Sequence, residues 1–118
     1  MQDDLKVAVR KSKTTAIIDM KGNVTSFADN QINSFVKTSV EEGCQHILFN
    51  FTDVSYINSS GIAILIGLVT SPANNEVTFK VYGLTPHFKR IFRMIGLTQY
   101  IEVLNLESEE EAVASFDA

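Results

Sequence analysis

The sequence contains a single cysteine, Cys44, and only two histidines among its 118 residues. One cysteine excludes an internal disulfide and fits a reducing compartment. With only His46 and His87 available as ligands or bases, no metal-ligand spacing occurs, and the P-loop, Gly-x-Gly-x-x-Gly and Gly-x-Ser-x-Gly patterns are all missing. We therefore expect no catalysis, no cofactor and no bound metal.

The sequence also lacks a long apolar segment and an excess of basic residues. Its start, MQDDLKVAVRK, has no apolar core of signal-peptide length, and the apolar run Ile62–Val69 is far shorter than the roughly 20 residues of a membrane span. Ten basic against fourteen acidic residues give a net charge of −4, which argues against nucleic acid as the main partner. We expect a cytoplasmic protein without direct membrane insertion.

What the sequence does contain is the composition of an ordinary globular protein, with 45% apolar and 20% charged residues. The length fits one domain, residues 1–118, which is large enough to bury about two-thirds of the surface of its unfolded chain. No internal repeat, linker or low-complexity tract interrupts it.

The segment from His46 to Val69 organises the prediction. His46–Phe51 is apolar without alternation, which predicts a central strand that is buried on both faces and parallel to a neighbour. Thr52–Tyr56 has turn chemistry, and Ser59 or Ser60 is a natural N-cap for the helix that follows. Because that helix is apolar on every side from Ile62 to Val69, part of it must pack on a second layer or on a partner protein.

The remaining elements alternate between strands and helices. Four further stretches have strand character: Leu5–Arg10, Thr15–Met20, Val77–Tyr82 and Tyr100–Leu104. The first two form an antiparallel hairpin across a polar turn, and Gly22-Asn23 ends the second. Together these elements predict an α/β fold with a mixed sheet of four or five strands and about four helices.

Three other helices follow from apolar periodicity and capping residues. The first begins at a capping box of Ser26 and Asp29 and stops at Gly43, with inward positions Ala28, Ile32, Phe35, Val36 and Val40. The second begins with Thr85-Pro86 and ends at Gly96, with an apolar stripe of Phe88, Ile91, Phe92 and Ile95. The last begins at Ser108 with Glu111 and faces inward through Ala112, Val113 and Phe116.

Three motifs resemble the STAS domain, the fold of anti-sigma factor antagonists. Asn58-Ser59-Ser60-Gly61-Ile62 after an apolar strand is similar to the family's Asp-Ser-Ser/Thr-Gly phosphorylation loop. Gly22-Asn23-Val24-Thr25 is similar to its Gly-x-Leu-Asp turn, and Gly83–Phe92 is similar to its Gly-x-x-Pro-x-hydrophobic-x-Arg helix. The resemblance covers nearly the whole chain.

The resemblance implies a non-enzymatic switch that regulates sigma-factor-dependent transcription. The partner would be an anti-sigma factor that is also a serine kinase, with a phosphatase as a further candidate partner. The matching phosphorylation position is Ser59. The resemblance also implies a set of partner-binding residues around it: Thr25, Asn58, Ser59, Ser60, Gly61, Ile62 and Leu65.

Two positions differ from the family's pattern, since Asn58 and Thr25 stand where the family usually has Asp. Both differences keep hydrogen-bonding capacity and remove negative charge beside the serine. Asn58 favours an alternative function, a structural STAS subunit of a signalling assembly or a membrane transport complex without a phospho-switch. A nucleotide-binding module, with the serine turn holding phosphate, is a third hypothesis.

The basic face of Lys89, Arg90 and Arg93 is interpreted as solvated, with an acidic partner as the alternative.

Overall fold

The structure, a computed structural model, describes residues 5–25, 29–105 and 109–117. These residues form five strands and four α-helices. In chain order they are β1 (Lys6–Ser12), β2 (Thr15–Val24), α1 (Asp29–Glu41), β3 (His46–Ile57), α2 (Ser59–Thr70), β4 (Thr78–Tyr82), α3 (Pro86–Met94), β5 (Ile101–Val103) and α4 (Glu109–Ala114).

The five strands lie in one mixed sheet in the order β1-β2-β3-β4-β5. β1 and β2 form the predicted antiparallel hairpin, in which Ser12 pairs with Thr15. β2, β3, β4 and β5 are parallel to one another. The predictions of a mixed α/β sheet and of a central strand beginning at His46 are confirmed.

The helices cover the two faces of the sheet unequally. The main core joins one sheet face to α1, α2 and α3, and its fully buried residues include Ile18, Phe49, Val36, Leu65 and Phe92. The opposite face carries a smaller cluster of Ile17, Leu48 and Tyr82 with Ala112 of α4. Strand residues therefore alternate between a large core and a small one, as expected for a strand with both faces covered.

Two strand ends were predicted wrongly. β2 continues through Gly22-Asn23 to Val24, and β3 continues through the predicted turn Thr52–Tyr56 to Ile57. Register shifts between Asp19 and Lys21 and between Gly22 and Asn23 keep the two strands paired over this length. The residue types at these positions are those of turns, and β-bulges accommodate them within a paired strand.

The prediction for α3 is confirmed at its start and at its stop, Gly96, but the buried stripe does not extend to Ile95. The hydroxyl of Thr85 accepts a hydrogen bond from the Phe88 amide at 3.1 Å, and Pro86 occupies the first turn. Phe88 and Phe92 are buried, whereas Ile95 is 39% exposed because it follows the last helical turn. The capping residues Ser26 and Ser108 and the helix position Ala28 lie outside the described residues.

A polar network ties α4 to the sheet. Arg10 of β1 donates hydrogen bonds to Asp19 of β2 at 2.6 and 2.8 Å, and to Glu109 of α4, including one of 2.7 Å. Tyr82 donates to Glu109 at 2.9 Å, and Asn50 donates to Asp19 at 2.8 Å. Hydrogen bonds from Arg10 hold the pKa of both carboxyl groups below their ordinary values.

Replacing Arg10 by glutamine is expected to lower the free energy of unfolding at neutral pH by about 1 kcal/mol or less, because the network is partly exposed. A carboxyl group whose pKa is lowered on folding stabilises the fold above its unfolded pKa of about 4 and loses that effect as the pH falls through its folded value. The difference between the proteins should therefore shrink on acidification. Urea unfolding over a pH series measures it, and Lys13→Gln, at an exposed turn residue, is the control. A pH-independent difference would contradict the assignment.

No helix among the described residues combines the length and the apolar character that crossing a membrane requires.

Candidate functional site

The serine junction, residues 58–61, lies at the carboxyl edge of the parallel strands. Val24 at the end of β2 pairs with Ile57 at the end of β3. Thr25 follows the end of β2 and Asn58 follows the end of β3, so the fold brings Thr25 to the same edge of the sheet as the serines. That the two segments form one partner-binding site stays a prediction of the resemblance.

Asn58, and not a serine, is the N-cap of α2. Its backbone is extended, with φ of −108° and ψ of −179°, and its side-chain oxygen accepts a hydrogen bond from the Gly61 amide at 2.8 Å. Its carbonyl oxygen accepts from the Ile62 amide at 2.9 Å. The predicted cap at Ser59 or Ser60 is therefore wrong by one or two positions, because Asn is as good a capping residue as Ser.

Because Asn58 is the cap, neither serine caps α2. Ser59 and Ser60 are the first two residues of α2, and both are exposed. Within the part of the chain that the structure describes, neither hydroxyl makes a hydrogen bond. The Ser59 hydroxyl is thus open to a modifying enzyme, at the end of a helix whose dipole favours negative charge.

A variant pair separates the two possible caps. Asn58→Ala is expected to lower the free energy of unfolding by about 1 kcal/mol through loss of the bond to the Gly61 amide. Ser60→Ala should change it by less than about 0.5 kcal/mol, since an exposed hydroxyl without a partner is removed. Thermal and urea unfolding measure both, and a larger loss in Ser60→Ala than in Asn58→Ala would restore Ser60 as the cap.

Gly61 is required by the close approach of α2 to the end of β2. A Cβ atom at Gly61 would lie 2.1 Å from the Val24 carbonyl oxygen and 2.8 Å from the Val24 carbonyl carbon. The same oxygen accepts a hydrogen bond from the Asn58 amide at 3.3 Å. Gly61 is buried, so it fixes the serine junction against the sheet and is not itself a contact surface.

Helix α2 presents one uncharged exposed face. Its sequence, SSGIAILIGLVT, contains no charged residue. The positions exposed on this face are Ser59, Ser60, Ala63, Ile66, Gly67 and Thr70. Ile62 is half-buried beside them, whereas Leu65 is fully buried in the main core. The prediction that Leu65 is an outer contact residue is therefore wrong, because it lies on the inward side of the helix.

Sequence reasoning missed two apolar residues that flank the junction. Tyr56 is 52% exposed just before it, and Ile66 is 38% exposed one turn beyond Ile62. The sequence favours a turn at Tyr56, and in an all-apolar helix no sequence signal distinguishes the outward Ile66 from its inward neighbours. We define the serine surface as the exposed face of α2 together with Tyr56.

The arrangement does not support serine catalysis. His46 begins β3 and Ser59 follows its end, so the twelve residues of the strand separate them by roughly 35 Å. His87 lies in the first turn of α3 and has a ring contact with Phe88. Among the described residues no group of three or more His, Cys, Asp or Glu side chains could hold a metal ion.

Comparisons with known proteins agree with this architecture. The family model described as the STAS domain matches residues 6–112. The anti-sigma-B factor antagonist of Listeria monocytogenes is 24% identical over 108 residues, which are 90% of this chain and 94% of the relative.

Solved structures agree as well. The anti-sigma factor antagonist SpoIIAA in its unphosphorylated form superposes with a TM-score of 0.75 at 21% identity, over 95% of this chain and 96% of that one. The Bacillus cell fate determinant SpoIIAA in its phosphorylated form gives 0.69 at 23% identity, over 94% and 99%. The likeness establishes the fold. The names of these proteins describe them as anti-sigma factor antagonists or as a cell fate determinant.

Proposed function

The chain belongs to the STAS domain family, and from this premise we propose that it is an anti-sigma factor antagonist switched by phosphorylation of Ser59. In this proposal the unphosphorylated protein binds an anti-sigma factor, which is also its serine kinase, and thereby frees a sigma factor. The observation that carries the proposal is the exposed Ser59 hydroxyl at the start of an uncharged helical face. The names of the Listeria relative and of SpoIIAA support the same assignment.

The physics of the switch is local. A phosphate on Ser59 would carry a charge of about −1.5 to −2 at neutral pH. The fold would tolerate it, because the phosphate would stand at the positive end of the α2 dipole, beside Asn58 and Thr25, which are neutral. The same phosphate would weaken partner binding at the serine surface, because α2 holds no cation to pair with the phosphate. A partner face that fits an uncharged helix would then meet an uncompensated anion.

A phosphorylation assay tests the proposal. The protein is incubated with ATP and a candidate anti-sigma factor kinase, and phosphate is mapped by mass spectrometry. We expect a single phosphate on Ser59, which is lost in Ser59→Ala and retained in Ser60→Ala, since both hydroxyls are exposed and only one matches the family's position. Label on Ser60 alone, or no label on either serine, would contradict it.

Asn58 favours one alternative, a structural STAS subunit without a phospho-switch. Its side chain is committed to the Gly61 amide and carries no charge to orient Ser59. A stable large homo-assembly in sedimentation experiments, together with equal partner binding by the wild-type protein and Ser59→Asp, would favour this alternative.

For the switch itself, a phosphatase is the second protein required, and the cytoplasm is the proposed compartment.

A further inference from the structure

The end of helix α3 exposes large apolar side chains that the fold does not use. Met94 is 75% exposed, Tyr100 is 52% exposed and Ile95 is 39% exposed. They are three of the five exposed large hydrophobic residues in the described part of the chain, and the other two belong to the serine surface. Three exposed large apolar residues within residues 94–100 mark a candidate binding surface.

The chain makes an ordered turn at Ile95 and Gly96, directly after Met94. The Ile95 amide donates to the Ile91 carbonyl at 3.1 Å, and the Gly96 amide donates to the Arg93 carbonyl at 3.2 Å. Gly96 has a left-handed backbone with φ of 84°, and Leu97 beneath it is 1% exposed. The backbone that carries Met94 and Ile95 is therefore ordered before any partner binds, which lowers the entropy cost of association.

The turn lies at the opposite edge of the sheet from the serine junction. α3 follows the carboxyl end of β4 and leads to β5, whose first residue, Ile101, pairs with Phe79 near the start of β4. Ser59, in contrast, follows the carboxyl end of β3. Since β4 is five residues long, the two edges are separated by about 15 Å or more.

The last turns of α3 carry exposed basic residues in a chain whose net charge is −4. Arg90 and Arg93 are exposed on α3, and neither has an ion-pair partner among the described residues. Arg90 lies one helical turn before Met94, so a cation and an apolar group are neighbours on the helix surface. An acidic partner with apolar side chains complements this arrangement.

We propose that Arg90, Arg93, Met94, Ile95 and Tyr100 form a second protein-binding surface, the α3-end surface, for a segment with acidic side chains beside apolar ones. Two arginines on a net acidic chain are too few for nucleic-acid binding. Insertion into a membrane is disfavoured because Phe88 and Phe92, the apolar face of α3, are buried in the core. The surface is separate from Ser59 and would remain available when the serine surface is occupied.

The test uses peptides as probes. Random displayed peptides are selected against the full chain, and the enriched sequences are synthesised for affinity measurements. We expect Asp or Glu next to Leu, Phe or Trp, and a loss of affinity of about tenfold or more in Arg93→Glu/Met94→Gln. Tyr56→Gln/Ile66→Gln, at the serine surface, is the matched control and should retain affinity, as should Ser59→Asp. Because both altered groups in the test variant are exposed, it should fold, which a thermal melt checks.

Several outcomes would overturn the proposal. Failure to enrich acidic–apolar peptides would do so, as would peptides that bind the test variant as well as the wild-type protein. A concentration-dependent dimer that the test variant abolishes would assign the surface to a second copy of the chain. Binding to single-stranded RNA or to phosphatidylglycerol vesicles, if lost in the same variant, would assign it to nucleic acid or lipid. None of these results depends on phosphorylation of Ser59.

Discussion

Gly61→Ala is expected to destabilise the domain by about 2–3 kcal/mol or more. The added Cβ would stand 2.1 Å from the Val24 carbonyl oxygen, a backbone atom that cannot move without disturbing the paired ends of β2 and β3. Relief would require α2 to shift away from the sheet and to carry Ser59 with it. Urea unfolding at equilibrium measures the loss.

Gly67→Ala is the matched control within the same helix. A Cβ at Gly67 meets nothing within 4 Å, and the position is exposed in the interior of α2. Because alanine is the better helix former, this change should raise the free energy of unfolding by about 0.5–1 kcal/mol. Opposite signs for the two glycines would confirm that Gly61 is required by tertiary contact. Equal stability of Gly61→Ala and wild type would contradict the position of α2.

Ser59→Asp is expected to weaken binding to the anti-sigma factor by about tenfold or more, equivalent to about 1.4 kcal/mol. The carboxylate would introduce the only charge on α2, at the end that we propose meets the partner. Calorimetry with the purified anti-sigma factor measures the loss.

Ser59→Asn controls for size, since it differs from Ser59→Asp only in charge, and it should bind within about threefold of wild type. The fold should not suffer in either variant, because an acid in the first turn of a helix is favourable. Equal weakening by Asn and Asp would attribute the effect to bulk, and no weakening by either would remove Ser59 from the interface.

The sequence was sufficient where local chemistry and burial agree. Thr85-Pro86 combined a cap, a proline and an apolar stripe, and α3 begins there. The absence of alternation in His46–Phe51 identified the central strand, because a strand covered on both faces has no polar side. The hairpin of β1 and β2 followed from alternation and a short polar turn.

The sequence was insufficient where tertiary contacts decide. The pairing of Val24 with Ile57 extends two strands through turn-like residues, and nothing local indicates a partner strand on the other side of α1. Asn58, Ser59 and Ser60 are all good capping residues, so only backbone geometry selects Asn58. In an all-apolar helix, the inward direction of Leu65 and the outward direction of Ile66 depend on where the sheet lies.

The exposed residues at and after the end of α3 also could not be identified from the sequence alone. Ile95 continues the periodic stripe of the helix, yet the helix ends at Met94 and the turn at Gly96 carries Ile95 outward. Tyr100 is an aromatic residue, a type that is common in strands, and it lies just before β5. Periodicity placed Ile95 in the apolar stripe, and its exposure follows from the position at which the chain turns.

The most direct test of the account is the affinity of the anti-sigma factor for the protein before and after stoichiometric phosphorylation of Ser59, measured by titration calorimetry. The account predicts tight binding by the unmodified protein and a loss of about tenfold or more on phosphorylation, with an unchanged thermal unfolding temperature or a small increase. Equal affinities for the two forms, with both fully folded, would contradict it.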